Sequence, residues 1–341
     1  MSLRMGNDLR RFIFDLTTRV LDGGRVEKDE AHALLEASGA DIMDLAAGAN
    51  RIRERFVGSE FDLCSIINAK SGSCAEDCSF CAQSAHYNTD IPEYPLLSPD
   101  EIVAAAKKAE EYGSKRFCIV TSGTAVNDKD FEQILFTVHR LRSETGLQVD
   151  CSLGALSEER VMKLQEAGVS EYNHNVETDG SFYETIVTTH HYSSRVETVK
   201  NLKKSTMEVC SGGIIGLGET AAQRVEMALT LRDLDVDCVP INILNPRPGT
   251  PLASSNPIEP LEIIKTIALY RFILPRKVIK VAGGREANLR DLQALAFLAG
   301  ANGMIVGGYL TTKGRQAADD LRMLNDLGIV LDQSREECGH H

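Results

Sequence analysis

No apolar run in this chain approaches the ~18 residues that a membrane span needs, and the amino terminus lacks the basic, apolar and small-residue succession of an export signal. A membrane protein and a secreted one are thereby set aside, and a cytoplasmic location is expected. Basic residues are short: 37 Lys and Arg against 49 Asp and Glu leave a formal charge of −12. Phosphate backbones and anionic lipid surfaces are repelled on average, so neither nucleic acid nor membrane is expected as a partner. Tryptophan is absent, yet apolar residues make up 43% and charged residues 25%. That balance belongs to a globular chain able to bury about three quarters of its unfolded surface, which excludes disorder and fibrous repeats. Low-complexity linkers are missing as well.

Cysteine, in contrast, is plentiful. Nine cysteines, an odd number in a long chain without an export signal, argue against a disulfide framework and for thiols kept reduced for metal binding or chemistry. The length of 341 residues suits about two domains or one large barrel. Residues 8–21, 27–37 and 42–56 read as helices without strands. Beyond them, short β-rich runs begin near Leu63, Arg116, Gln148, Glu171, Glu208, Cys238, Val278 and Met304, each followed by an amphipathic helix. Ser98 and Pro99 open one such helix, ended by Gly113; others cover 128–144, 157–167, 193–204, 220–234, 258–274, 286–299 and 315–327. Eight strand and helix pairs predict a (β/α)8 TIM-type barrel, with an open doubly wound sheet as the alternative. The division expected is a helical extension (1–58), a barrel (59–330) and a polar tail (331–341) whose His340 and His341 read as an appended tag.

Residues 71–84 read SGSCAEDCSFCAQS and place Cys74, Cys78 and Cys81 just after the first strand. Three thiolates in eight residues can converge around a metal centre. They are one ligand short for a cubane of four irons, which leaves one iron open to a small molecule. A zinc site completed by His86 is the alternative. Further cysteines sit on strands whose carboxyl ends face a barrel's active site: Cys118 in RFC, Asp150 and Cys151 in VDCSLG, and Cys210 in EVCSGG. In YNHNVET, Asn173 and Asn175 share one strand face, and paired amides suit a ureido or ribose ring. Tyr172 and His174 then point away, His174 as a packed histidine. The glycine run 212–220 lets backbone approach a ligand. Asn242 in VPIN faces inward if Val239 and Ile241 pack outward. Arg285 and Glu286 read as a structural ion pair or cap.

In this order the cysteine triplet, RFC, YNHN, CSGGIIGLGET, VPINILNPRPGTPL, AGGREANL and GGYLTTKGR resemble the biotin synthase family of radical S-adenosylmethionine enzymes from about residue 60 to residue 330. The resemblance implies a 4Fe-4S cluster on Cys74, Cys78 and Cys81 that binds S-adenosylmethionine and yields a 5′-deoxyadenosyl radical. Sulfur is then inserted into dethiobiotin, one cofactor being consumed for each carbon activated. It further implies that Phe80 holds adenine through its backbone, Asn175 and Glu177 the ribose, Arg195 the cofactor carboxylate, and Asn173, Asn175 and Asn242 the ureido ring. Flavodoxin or ferredoxin is the expected electron donor, and a homodimer the expected assembly. Glu177 stands where the family usually has aspartate. Other readings are a radical enzyme of the methylornithine synthase or hydrogenase maturase kind, which has no need for Cys118 and Cys210 together with YNHN, and a non-catalytic metal-binding scaffold whose cysteines only stabilise the fold.

The family's auxiliary 2Fe-2S cluster, held by three cysteines and one arginine, is altered here. Cys118 and Cys210 match, but the third cysteine falls on Asp150, with Cys151 displaced by one, and the arginine falls on Lys280. Cys64 stands ten residues before Cys74, where the family usually has serine. The expectation is an auxiliary iron-sulfur cluster anchored by Cys64, Cys118 and Cys210, with Asp150 or Cys151 as a further candidate. It should be richer in iron and sulfide than the usual centre.

Overall fold

Alternation of inward and outward side chains along short parallel strands closes the sheet into a ring in the computed structural model, which describes residues 2–329 and residue 331. The rest of the polar tail, with its two histidines, lies outside the described residues. The strands are β1 (Asp62–Lys70), β2 (Arg116–Thr121), β3 (Gln148–Ser152), β4 (Glu171–Asn173), β5 (Glu208–Cys210), β6 (Gly213–Ile215), β7 (Cys238–Ile243), β8 (Val278–Val281) and β9 (Gly303–Ile305). β5 and β6 are one stave interrupted at Ser211 and Gly212, and both halves pair with β7. β9 returns to β1 through Asp62, Leu63 and Cys64, which closes a ring of eight staves and excludes the open sheet. Six strand starts fall where the sequence put them; Leu63 and Met304 are one residue late.

The interruption explains the paired glycines. A Cβ at Gly212 would lie 2.0 Å from the Pro240 carbonyl oxygen, and one at Gly213 would lie 2.3 Å from that of Glu177. What this pair admits is neighbouring backbone, where the sequence suggested a ligand.

Helices α1 (Ser2–Leu21), α2 (Lys28–Ala33) and α3 (Asp41–Phe56) precede the barrel. Around it follow α4 (Pro99–Glu111), α5 (Asp128–Glu144), α6 (Glu158–Ala167), α7 (Gly180–Tyr183), α8 (Tyr192–Leu202), α9 (Ala221–Asp233) and α10 (Pro260–Ile273). Last come α11 (Arg285–Leu289), α12 (Gln293–Leu298) and α13 (Ala317–Asp326). Local chemistry sets the starts: Ser98 with Glu101 and Thr220 with Gln223 form reciprocal capping boxes. The single helix expected over 286–299 is instead broken by a 3-10 turn at Arg290–Leu292, where Arg290 adopts φ +51°.

α10 is buried from Ile263 to Ile273, because α3 covers the face that a barrel helix normally gives to water. Gly48 makes the crossing close. A Cβ there would meet Thr17 Oγ1 at 2.5 Å and Phe272 Cζ at 3.0 Å. Gly48→Ala should therefore destabilise the chain by ~1–3 kcal/mol through overpacking; an unchanged urea midpoint would show that the three helices can separate freely.

Candidate functional site

Inward-facing residues of the strands leave a cavity of about 490 Å³ that runs from the loop after β1 into the barrel. That loop folds back on itself: the Cys74 amide donates to the Gln83 carbonyl at 3.0 Å, Ala85 donates to the Cys74 carbonyl at 2.8 Å, and Cys81 donates to the Cys78 carbonyl at 2.9 Å. As a result Cys74, Cys78 and Cys81 all line the same cavity, with Phe80 among them. Burial pushes the Cys78 thiol up, and it pushes Cys81 to about 11. Thiols protected in this way ionise when a metal replaces the proton.

The two acids inside the motif anchor the loop. Asp77 accepts the amides of Thr188 at 2.9 Å and Thr189 at 3.2 Å. Burial alone would raise its carboxyl, but these donors and the Thr188 hydroxyl outweigh it and draw it down to about 2. Glu76 accepts His190 Nδ1–H at 2.6 Å, leaving His190 Nε2 to accept the Tyr183 hydroxyl at 2.8 Å. Tyr183 in turn accepts from Arg195 Nε at 2.8 Å. This relay draws Arg195 away from solvent and into the cavity wall, where Nη1 donates to the Asn175 carbonyl at 2.9 Å and lies 3.6 Å from Glu177 Oε1. Glu177 itself adopts φ +70°. Its carboxyl is raised by burial and held back by Arg195. His174 is pushed down to about 3 by burial and by nearby Arg195 and His190, so it adds no competing charge. His86 turns its ring to the Ala75 carbonyl at 2.9 Å and is exposed, which removes the fourth ligand that the zinc reading needs.

Midway down, Asn173, Asn175 and Asn242 present amides to the cavity. Asn242 is fixed by accepting the Gly283 amide at 3.0 Å and donating to the Gly213 carbonyl at 3.3 Å; Val239 and Ile241 do pack outward. Asn173 Nδ2 reaches Asn175 Oδ1 at 3.4 Å and Cys210 Sγ at 3.2 Å.

Deeper still, Cys64, Cys118 and Cys210 line the cavity, with thiols driven up by burial. Soft, enclosed thiols in such a set fit an iron-sulfur centre. The two remaining candidates are corrected. β3 keeps unbroken register with β2, so Cys151 faces the outer apolar layer, fully buried and away from the cavity. Asp150 faces inward but is paired with Arg116 at 3.2 Å. Arg116 also holds Asp62 at 3.1 Å and Glu208, while Lys280 Nζ lies 2.9 Å from Asp62. An ammonium so held has no lone pair for iron. Arg285 does have a structural role, but its short ion pair is with Asp320 at 2.5 Å, while Glu286 lies 3.4 Å away and accepts the Tyr309 hydroxyl. The sequence reading missed Glu171 and Cys238. Counting back by twos from Asn242 would have turned Cys238 inward.

Residues 70–231 match the Radical SAM superfamily, and residues 240–330 match the Biotin and Thiamin Synthesis associated domain. The biotin synthase of Carboxydothermus hydrogenoformans is 54% identical over 321 residues, covering 94% of this chain and 99% of that protein. That of Clostridium acetobutylicum is 51% identical over 319 residues, covering 93% and 97%. Among solved structures, methylornithine synthase superposes with a TM-score of 0.79 at 21% identity, covering 92% of this chain and 96% of that one. The FeFe-hydrogenase maturase HydG from Carboxydothermus hydrogenoformans does so at 0.79 and 18%, covering 96% and 81%. At such identities the two structures share the barrel and nothing more specific. Radical SAM membership implies a 4Fe-4S cluster and S-adenosylmethionine, for which the cysteine loop and its cavity have suitable donors. With half of its residues identical to curated relatives along nearly their whole length, the chain belongs to the biotin synthase family of radical S-adenosylmethionine enzymes.

Proposed function

We propose that the chain converts dethiobiotin to biotin inside the barrel, with sulfur drawn from an auxiliary iron-sulfur cluster at the cavity floor. The observation that carries this reading is the succession of three groups along one cavity: the Cys74, Cys78 and Cys81 thiols at the mouth, three asparagine amides midway, and the Cys64, Cys118 and Cys210 thiols below. When bound, a 4Fe-4S cluster with S-adenosylmethionine supplies the 5′-deoxyadenosyl radical that removes hydrogen from unactivated carbon, and the auxiliary cluster supplies sulfur. No side-chain base can deprotonate a methyl group at neutral pH, which is why the reaction needs a radical.

The chain's own residues bind and orient. Cys74, Cys78 and Cys81 hold the first cluster. Arg195 takes the cofactor carboxylate, and its guanidinium is already oriented by Tyr183 and the Asn175 carbonyl, so little ordering remains to be done on binding. Asn175 and Glu177 take the ribose, and the Phe80 backbone takes adenine. Asn173, Asn175 and Asn242 offer both donors and acceptors to the ureido ring. A flavodoxin- or ferredoxin-type reductant, a homodimer, a cytoplasmic location without nucleic-acid or membrane partners, and the division at residues 58 and 330 belong to the same proposal. No helix among the described residues is long and apolar enough to cross a membrane.

The test is anaerobic reconstitution with iron and sulfide, followed by dithionite, S-adenosylmethionine and dethiobiotin. Biotin should form together with 5′-deoxyadenosine. Deoxyadenosine without biotin would mark a different radical enzyme, and neither product would mark a scaffold. In the same preparation, Arg195→Ala and Asn175→Ala should each weaken cofactor binding by about tenfold or more, ~1.4 kcal/mol, without loss of iron. Equilibrium dialysis with labelled S-adenosylmethionine checks this, and unchanged affinity would make both residues structural.

A further inference from the structure

Cys238 opens β7, two residues before Pro240 and four before Asn242, both of which line the cavity, so strand alternation turns its side chain inward. It is the Cα partner of Cys210 across the β5 and β7 pairing. The two sulfurs and a carboxylate oxygen of Glu171 all lie within 4.8 Å of one another. Both cysteines are enclosed, at 3% and 1% exposure.

On the other side of the barrel, the neighbours β1 and β2 carry Cys64 and Cys118. In the ring of eight staves β5 stands opposite β1, and β7 opposite β2. Two adjacent thiol pairs therefore face each other across the interior. Cys64 and Cys118 are also offset in height, because Cys118 pairs with Ile66, two residues further along β1 than Cys64, whereas Cys210 and Cys238 share one register level. With one pair offset and the other level, the four thiols surround a volume, as the ligands of a cubane do, and not a plane.

Among the other described residues at this depth, Asp150 is paired with Arg116, Lys280 with Asp62, and Cys151 faces the outer layer, which leaves the Glu171 carboxylate as the one harder donor beside Cys210 and Cys238. Arg116 and Lys280 also place two cations beside a site that would gather negative thiolates, which offsets part of the cost of burying them.

We infer that Cys238 is a fourth thiolate ligand at the barrel floor, so that the auxiliary iron-sulfur site is an all-cysteine one formed by Cys64, Cys118, Cys210 and Cys238. This rests on the reading that the floor holds a cluster. The site then has no ligand role for aspartate or lysine, and a soft donor stands at each of its corners.

The experiment uses the full chain with Cys74, Cys78 and Cys81 all changed to alanine, so that iron bound after anaerobic reconstitution with iron and sulfide belongs to the floor. Iron and sulfide are counted and Mössbauer spectra recorded for this parent and for further variants. Cys238→Ala should lose most of the remaining iron. Cys238→Ser, nearly the same in volume, should keep a cooperative melt without metal and shift the spectrum of any iron it retains. Cys151→Ser should match the parent. Iron and spectra in both Cys238 variants equal to the parent's would overturn the inference and make Cys238 a packing residue. Equal depletion by Cys151→Ser would overturn it as well. A parent that binds no iron would instead overturn the auxiliary-cluster reading itself, and the inference with it.

Discussion

Cys78→Ala should abolish reductive cleavage of S-adenosylmethionine, lowering 5′-deoxyadenosine formation by a factor of about 10³ or more. Cys78 is the middle thiol of the loop and the most enclosed of the three, packed against Tyr183, Ile186 and Val187. Alanine fits the same space with one atom fewer, so the cost to the metal-free fold is only about 1 kcal/mol. The loop also keeps its ties to residues 188–190 through Glu76 and Asp77. What is lost is one of the three thiols proposed to hold the cluster, and the nearest histidine among the described residues, His86, is turned to the Ala75 carbonyl. Deoxyadenosine is measured by chromatography after dithionite reduction, alongside an iron count. The variant should retain the iron of the barrel floor while failing to cleave the cofactor. Normal cleavage would remove Cys78 from the cluster and end the radical assignment of this loop.

Arg271→Ala should destabilise the metal-free chain by ~4 kcal/mol, the range seen when a buried charged group loses or abandons its partners. Arg271 lies at the end of α10 with no exposure. Among the described residues no carboxylate pairs with it; its acceptors are carbonyls. Nε donates to Gly300 at 2.8 Å, Nη1 reaches Lys277 at 2.8 Å as well as Leu274 and Pro275, and Nη2 donates to Asn302 Oδ1 at 2.7 Å. A cation at a helix carboxyl end also faces the negative pole of the helix dipole. Burial, with Arg53 nearby, pulls the guanidinium down to about 9, which still leaves it charged at neutral pH. Because Asn302 Oδ1 also accepts the Ile279 amide at 2.9 Å, the same cluster fixes β8, the strand that carries Lys280 to the floor. Arg271→Lys should recover little, since three ammonium protons on one atom cannot span acceptors spread around a planar fork. Urea unfolding measures the loss, and a change below ~1 kcal/mol would show that the carbonyls find water instead.

Much of the architecture follows from periodicity along the chain. Arg116, Gln148, Glu171, Glu208, Cys238 and Val278 begin strands where short β-rich runs begin, because inward and outward positions alternate residue by residue and leave their mark locally. The same alternation put Asn173 with Asn175, turned Asn242 inward, and set Asp150 and Cys151 on opposite faces. The C-x3-C-x2-C spacing is likewise legible, since its three thiols converge through local turns. The break at Arg290 within the helix expected over 286–299 had no comparable local signal.

Other features depend on which distant residues become neighbours, and only closure of the barrel decided them. Arg195 sits on an amphipathic helix and would be solvated there, but Tyr183, His190 and Glu76, brought from other segments, draw it inward. Asp150 and Lys280 stand where the sequence resemblance suggested two ligands, yet Arg116 and Asp62 claim them across strands far apart in sequence. Cys238 acquires meaning only beside Cys210 and opposite Cys64 and Cys118. Periodicity determines which way a side chain faces, because that is a property of the strand that carries it; the partner it meets is set by the ring, because charge pairing and metal ligation act over a few ångströms between residues that the sequence holds far apart.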